Sequence, residues 1–106
     1  MTNELEQIQS LCRMRKIQVT DHALKRAIER NIDFETDIIP SLLNGEIIEE
    51  YPDDHPYKSY LISGMTIKQV CIHTVCAIGE DMLWIITEYI PDKKEWENDF
   101  KTRKKV

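Results

Sequence analysis

Apolar residues recur at helical spacing in the first part of the chain and alternate with polar ones after Gly45. Within residues 3–15, Leu5, Ile8, Leu11 and Cys12 share one side of a helical wheel, which predicts an amphipathic helix. The "IQVT" that follows is a short extended piece. A second helix is predicted from about Asp21 to Glu29, with Asn31 as a left-handed stop. Asp33 is placed to cap a third helix carrying Ile38, Ile39, Leu42 and Leu43, which ends at Asn44-Gly45. Pro40 kinks or restarts that helix, because it lacks a backbone donor and crowds the preceding turn. Four strands come next: "EIIEEY", "YKSYLIS", "IKQVCIHTVCAI" and "MLWIITEYI", separated by "PDDHP", "GMT" and "GED". Pro91 stops the last strand. The remainder, "DKKEWENDFKTRKKV", predicts a short helix anchored by Trp96 and Phe100, then a frayed basic tail. Helices first and an antiparallel meander afterwards describe an α+β domain, with the N-terminal helices packed on an antiparallel sheet of about four strands.

A chain of 106 residues holds one domain, divided into an N-terminal helix (1–16), a core (17–100) and a basic tail (101–106). With 42% hydrophobic and 31% charged residues the composition is that of a globular protein. No apolar run approaches the ~18 residues of a membrane span, and "MTNELEQIQS" lacks the layout of a signal peptide. These features predict a cytoplasmic protein without membrane contact. The three cysteines, Cys12, Cys71 and Cys76, contain no Cys-x-x-Cys pair, so neither a disulfide framework nor a zinc site is expected. No metal ligation is expected from the histidines either, which are too far apart for a ligand motif. Three glycines and no phosphate-cradling loop argue against a nucleotide cofactor.

A net charge of −5 weighs against a protein that coats nucleic acid by bulk electrostatics. The charge is uneven, however. Glu46, Glu49, Glu50, Asp53 and Asp54 form an acidic segment, and Lys101, Arg103, Lys104 and Lys105 a basic tail. Arg13, Arg15, Lys16, Lys25, Arg26 and Arg30 make a local basic face possible near the second helix.

At 100° per residue, Ala23, Leu24, Ala27 and Ile28 occupy one side of that helix, and His22, Arg26, Glu29 and Arg30 the other. The histidine and both arginines share a stripe roughly 80° wide. A neutral imidazole in the first turn beside two permanent cations suits a phosphodiester, though the same spacing also fits a solvated face on which His22 caps the helix. In "VCIHTVCAI", alternation puts Cys71, His73, Val75 and Ala77 on one face, and Ile72, Thr74, Cys76 and Ile78 on the other. His73 therefore needs either a buried hydrogen-bond partner or an open cleft. On the adjacent strand Thr87 and Tyr89 share a face, opposite Trp84, Ile86 and Ile90, and matching faces would bring them near His73. His55, in "PDDHP", has no assigned role.

The order "TDHALKRAIERNI", "LLNGEIIEEYPDDHPYKSYLI", "CIHTVCAI", "LWIITEYIPDKKEWENDF" resembles a prokaryotic domain-of-unknown-function family. Its marks are a His-Arg-Arg helix, an "NGEIIEEYP" turn and a Thr-x-Tyr-x-Pro strand, and the resemblance covers roughly residues 17 to 100. That family is similar to RelE-like toxins of the barnase/EndoU/colicin/RelE group, often encoded beside a zinc-finger antitoxin of the YgiT (MqsA-like) type. The resemblance implies helices on a curved antiparallel sheet, a RelE/barnase-like fold, and an RNA-cleaving toxin that uses no cofactor. By position it assigns catalytic roles to His22, His73 and Tyr89, and phosphate binding to Arg26, Arg30 and Thr87. The implied partners are RNA, free or on the ribosome, and the antitoxin-like protein. The chain departs from the potent toxins of that group in being acidic.

Two function classes follow. In the first, a metal-independent endoribonuclease, a 2′-hydroxyl attacks phosphate with His22 or His73 as base and the arginines as charge stabilisers. In the second, a non-catalytic protein-binding module, the acidic segment 46–54 recruits a basic partner. A helix-turn-helix reader of DNA is disfavoured, because Asp33, Glu35 and Asp37 would open its recognition helix against phosphates.

Overall fold

The computed structural model of the chain describes residues 3–105, and its first element is α1 (Glu4–Arg13). The Asn3 side chain starts it by accepting from the Glu6 N–H at 2.8 Å, one of the donors a helix start leaves free. The short extended piece is β1 (Ile17–Val19). In α2 (Asp21–Arg30) the capping oxygen is that of Thr20, which accepts from the Ala23 N–H at 3.0 Å; His22 does not cap. The helix ends at Asn31 in the left-handed conformation, φ 58°. The third helical stretch divides at Pro40: a π-helical turn over Phe34–Ile38, capped by Asp33, runs into α3 (Ile39–Asn44). Pro40 lies in the first turn of α3, where its missing N–H is tolerated.

Four further strands follow, β2 (Glu46–Tyr51), β3 (Ser59–Met65), β4 (Cys71–Gly79) and β5 (Met82–Tyr89). They join β1 in one sheet of order β1-β5-β4-β3-β2, antiparallel throughout except for the parallel pair β1–β5. The sheet thus has five strands rather than about four, because the "IQV" segment pairs with Leu83–Ile85. β4 begins at Cys71 instead of Ile67, since residues 66–70 close a turn through the Thr66 N–H and the Val70 carbonyl.

All three helices pack on one face of the sheet. Ile8, Cys12, Ala23, Ala27 and Leu42 meet Ile62, Ile72, Cys76, Leu83 and Ile85 in one core, and removing such surface from water is the main drive to fold. Gly64 lets α3 approach β3: a Cβ there would lie 1.9 Å from the Ser41 carbonyl oxygen. On α2 only the two alanines are buried. Leu24 and Ile28, expected on the apolar side, stay 55% and 73% exposed, because the small pair Ala23 and Ala27 alone seats the helix.

The C-terminal residues do not form the expected helix. Asp92 and Asp99 accept backbone N–H groups from Lys94 and Lys101 at 2.8 and 2.9 Å, local turns that compete with helical bonding. Residues 92–105 fold instead into a strap across the sheet face opposite the helices, closed by a bridge between Trp96 and Arg103. Trp96 acts as the expected anchor, 1% exposed.

One pair departs from an apolar helix-side core. Thr74 and Glu88 face each other across β4 and β5, both buried, and neither side-chain oxygen set has a hydrogen-bond partner among the described residues. Burial raises the Glu88 carboxyl above its ordinary value against the pull of Arg30. A carboxyl whose folded pKa is raised binds its proton more tightly folded than unfolded, so it costs stability as pH climbs from the unfolded value through the folded one. Glu88→Gln should therefore be more stable than the native chain above neutral pH, with the difference closing toward pH 4–5. Urea midpoints across that range check this; a constant offset would mean that Glu88 is not the titrating group.

Candidate functional site

A bulge in β5 decides which side chains meet on the open face. Val75 pairs with Thr87 but Cys76 pairs with Ile85, so Ile86 is an extra residue. Beyond the bulge Tyr89 lies opposite His73, and before it Trp84 lies opposite Ala77. Strict alternation would have put Trp84 and Ile86 behind the sheet from Thr87 and Tyr89. The bulge turns Trp84, Ile86, Thr87 and Tyr89 onto one face, so that expectation is corrected.

His73 is 0% exposed, enclosed by the strap. Its Nε2 lies 2.6 Å from the Phe100 carbonyl oxygen and its Nδ1 lies 3.2 Å from the Tyr89 hydroxyl. A carbonyl only accepts, so Nε2 carries the proton and the neutral ring receives the Tyr89 O–H at Nδ1. Trp96 stands edge-on to the imidazole, with ring centroids 4.6 Å apart. Burial lowers the His73 pKa below the usual histidine value, while the Phe100 carbonyl and Glu49 pull it upward. Burial likewise raises the Tyr89 phenol. The result is a fixed line of groups, carbonyl to imidazole to phenol, of which only the half-buried phenol reaches the surface.

The strap is tied down electrostatically as well. Arg103 makes two hydrogen bonds to Glu49, at 2.6 and 3.1 Å, and lies over the Trp96 ring at 4.5 Å. Glu49 also accepts from the Tyr51 hydroxyl at 2.6 Å, and burial together with Glu49 pushes that phenol up to about 12. Lys101 pairs with Glu46, and Lys58 with Glu50. Most of the acidic segment is thus matched by cations of this chain itself, which leaves little of it to recruit a basic partner.

The α2 stripe divides. Arg30 donates to the Glu88 carbonyl at 2.6 Å and lines, with Tyr89, Ile90, Asp92 and Glu95, a cleft of about 480 Å³. Arg26 is paired with Glu29 at 2.5 Å. His22 is exposed on the helical layer, whereas His73 lies across the sheet beneath the strap. The structure therefore brings together His73, Tyr89 and, at the cleft, Arg30; Thr87 is half-exposed on the same face as Tyr89. At the free end of β5 the side chains of α2 and its cap replace a neighbouring strand, with Thr20 Oγ1 donating to the Ile86 carbonyl at 3.3 Å.

Sequence reasoning passed over the segment holding His55, Pro56 and Tyr57, which meets Trp84 in a second cavity on the open face. The signal was weak: aromatic residues at positions 57 and 84, whose shared face depends on the bulge.

The family profile described as Domain of unknown function (DUF4258) matches residues 19–90. No curated protein and no solved structure matches the chain. No helix among the described residues is long and apolar enough to cross a membrane. The matched span runs from the residue before the α2 cap to the end of β5, holds every site residue named above except those of the strap, and covers well over half of the chain: the protein belongs to the DUF4258 family of domains of unknown function.

Proposed function

We propose that the chain is a toxin-type, metal-independent endoribonuclease in which Tyr89, backed by His73, moves the proton and Arg30 holds the phosphate. What supports this reading is the line of hydrogen bonds from the Phe100 carbonyl through His73 to the Tyr89 hydroxyl, at the mouth of a cleft that Arg30 shares. The order is that of a catalytic triad, an acceptor orienting an imidazole that in turn takes a proton from a hydroxyl.

In this reading a ribose 2′-hydroxyl attacks the adjacent phosphorus. Its proton passes to the Tyr89 oxygen as the Tyr89 proton passes to His73 Nδ1. The 2′-oxygen–phosphorus bond forms and the phosphorus–5′-oxygen bond breaks. The proton then returns through Tyr89 to the leaving 5′-oxygen, giving a 2′,3′-cyclic phosphate and a 5′-hydroxyl. Arg30 offsets charge on the phosphoryl oxygens, and Thr87 offers a hydroxyl on the same sheet face as Tyr89. His22, on the helical layer, and Arg26, paired with Glu29, fall outside the proton path. Asp92 and Glu95 in the same cleft oppose a phosphate, so substrate affinity must come from contacts beyond it. The reading carries with it a cytoplasmic setting, RNA free or on the ribosome as substrate, and a zinc-finger antitoxin-like partner.

A second reading, a non-catalytic protein-binding module derived from such a toxin, is favoured by the full burial of His73 beneath the strap. The two separate on activity. Freed of any partner, the native chain should cleave single-stranded RNA or ribosome-bound messages to cyclic-phosphate ends, and Tyr89→Phe should slow it by about 10²–10³. RNA left intact by the native chain under both conditions assigns it to the binding class.

The pH profile offers a separate check. Cleavage needs neutral His73, whose pKa lies below the usual histidine value, so the rate should stay flat through neutrality and fall only on the acid side of the ordinary histidine range. A rate already falling between pH 8 and 7 would place the base elsewhere.

A further inference from the structure

The second cavity, about 420 Å³, opens on the same sheet face as Tyr89, and no strap residue lines it. Tyr57 and Trp84 supply its aromatic walls, Ala77 and Ile86 its apolar base, and His55 and Glu80 polar groups at its edge. Both rings are held in place through one residue. The Trp84 Nε1–H donates to the Gly79 carbonyl at 3.0 Å, and the Tyr57 ring lies so close over Gly79 that a Cβ there would be 2.2 Å from it. Glu80 stands beside the Tyr57 phenol, and its negative charge raises that pKa. Two large aromatic groups positioned beside an apolar base before any ligand arrives form a preorganised site.

Planar walls bind a planar ring by stacking, and every nucleobase presents such a face. The edge chemistry narrows the choice. A carboxylate accepts only, so Glu80 suits a base edge that offers paired N–H donors, which among the four bases is guanine. We infer that this cavity is a subsite for an unpaired guanine of single-stranded RNA, stacked against Trp84 and Tyr57 with its N–H edge toward Glu80. The inference takes RNA as the ligand from the cleavage reading but does not depend on the chemistry at Tyr89. Trp84 and Tyr89 lie five positions apart on β5, roughly 15 Å along a strand. A base held at one end therefore places a neighbouring part of the same strand near the Arg30 cleft, where acidic residues leave affinity to be found elsewhere.

The test is a titration of the full-length chain with a uridine hexaribonucleotide carrying one guanine, against the same hexamer with an abasic site at that position. Binding is read by anisotropy of the labelled RNA and by quenching of tryptophan emission; Trp96, 1% exposed, is shielded, so quenching reports Trp84. Removing the base should weaken binding about 5- to 100-fold, as should Trp84→Leu in the chain. Tyr57→Leu provides an independent variant, with folding of both checked by circular dichroism. Glu80→Gln should erase the preference for guanine over adenine. Equal affinity for the abasic hexamer, or unchanged affinity in both leucine variants, overturns the inference. So does quenching by a proline-rich peptide in the absence of any by RNA, which would make the aromatic cavity a polyproline site. Guanine-dependent binding without cleavage upholds this subsite while refuting the cleavage reading; cleavage with no base dependence does the reverse.

Discussion

Burying an imidazole obliges both ring nitrogens to find partners, and His73 finds them in two different parts of the chain. One is a carbonyl of the strap, the other a phenol at the end of the last strand. Everything on the open face is arranged around that requirement. The strap must cross the sheet at His73 for Phe100 to present its carbonyl, and Trp96 fills the space beside the ring. The bulge must fall before Thr87 so that Tyr89 lies opposite His73. Leaving either nitrogen unpaired in that setting would cost about 1–3 kcal/mol, a large share of a small domain's stability.

Local rules read the helical half of this molecule well. Thr20 and Asn31 bound α2 because capping and left-handed stops depend on a few adjacent atoms. The four long strands emerge from alternation for the same reason. What could not be read was set by contacts distant in sequence. The three residues of β1 read as a short extended piece, but that they belong to the sheet depends on the edge that β5 leaves for them. Trp96 and Phe100 sit at helical spacing, yet Asp92 and Asp99 spend their carboxylates on local turns, and the segment lies flat. The site was legible in part. His73 and Tyr89 do meet, whereas His22 shares only a stripe with Arg30. The pairing of Trp84 with Tyr57 depends on one bulged residue that no periodicity could locate.

The charge distribution also reads differently in three dimensions. An acidic strand and a basic tail suggest two separate interaction surfaces, one for each sign. In the fold they face one another: Lys101 and Arg103 of the tail lie against Glu46 and Glu49 of the strand. Exposed pairs of this kind contribute little individually, about 0–1 kcal/mol. Their role is to set where the strap lies, while the buried tryptophan and the histidine–carbonyl bond hold it. Net charge is thus a poor guide to what the surface offers a ligand.

The hydrogen bonds from Thr20 and Arg30 to the carbonyls of Ile86 and Glu88 bear on more than the position of α2. β1 covers β5 only as far as Ile85, and an uncovered half-strand is a template on which a second copy can add its own backbone. Here the outward carbonyls are already taken by side chains, one of them carrying a fixed positive charge that an incoming identical edge would also carry. The arginine that stands at the cleft therefore discourages self-association along that border of the sheet.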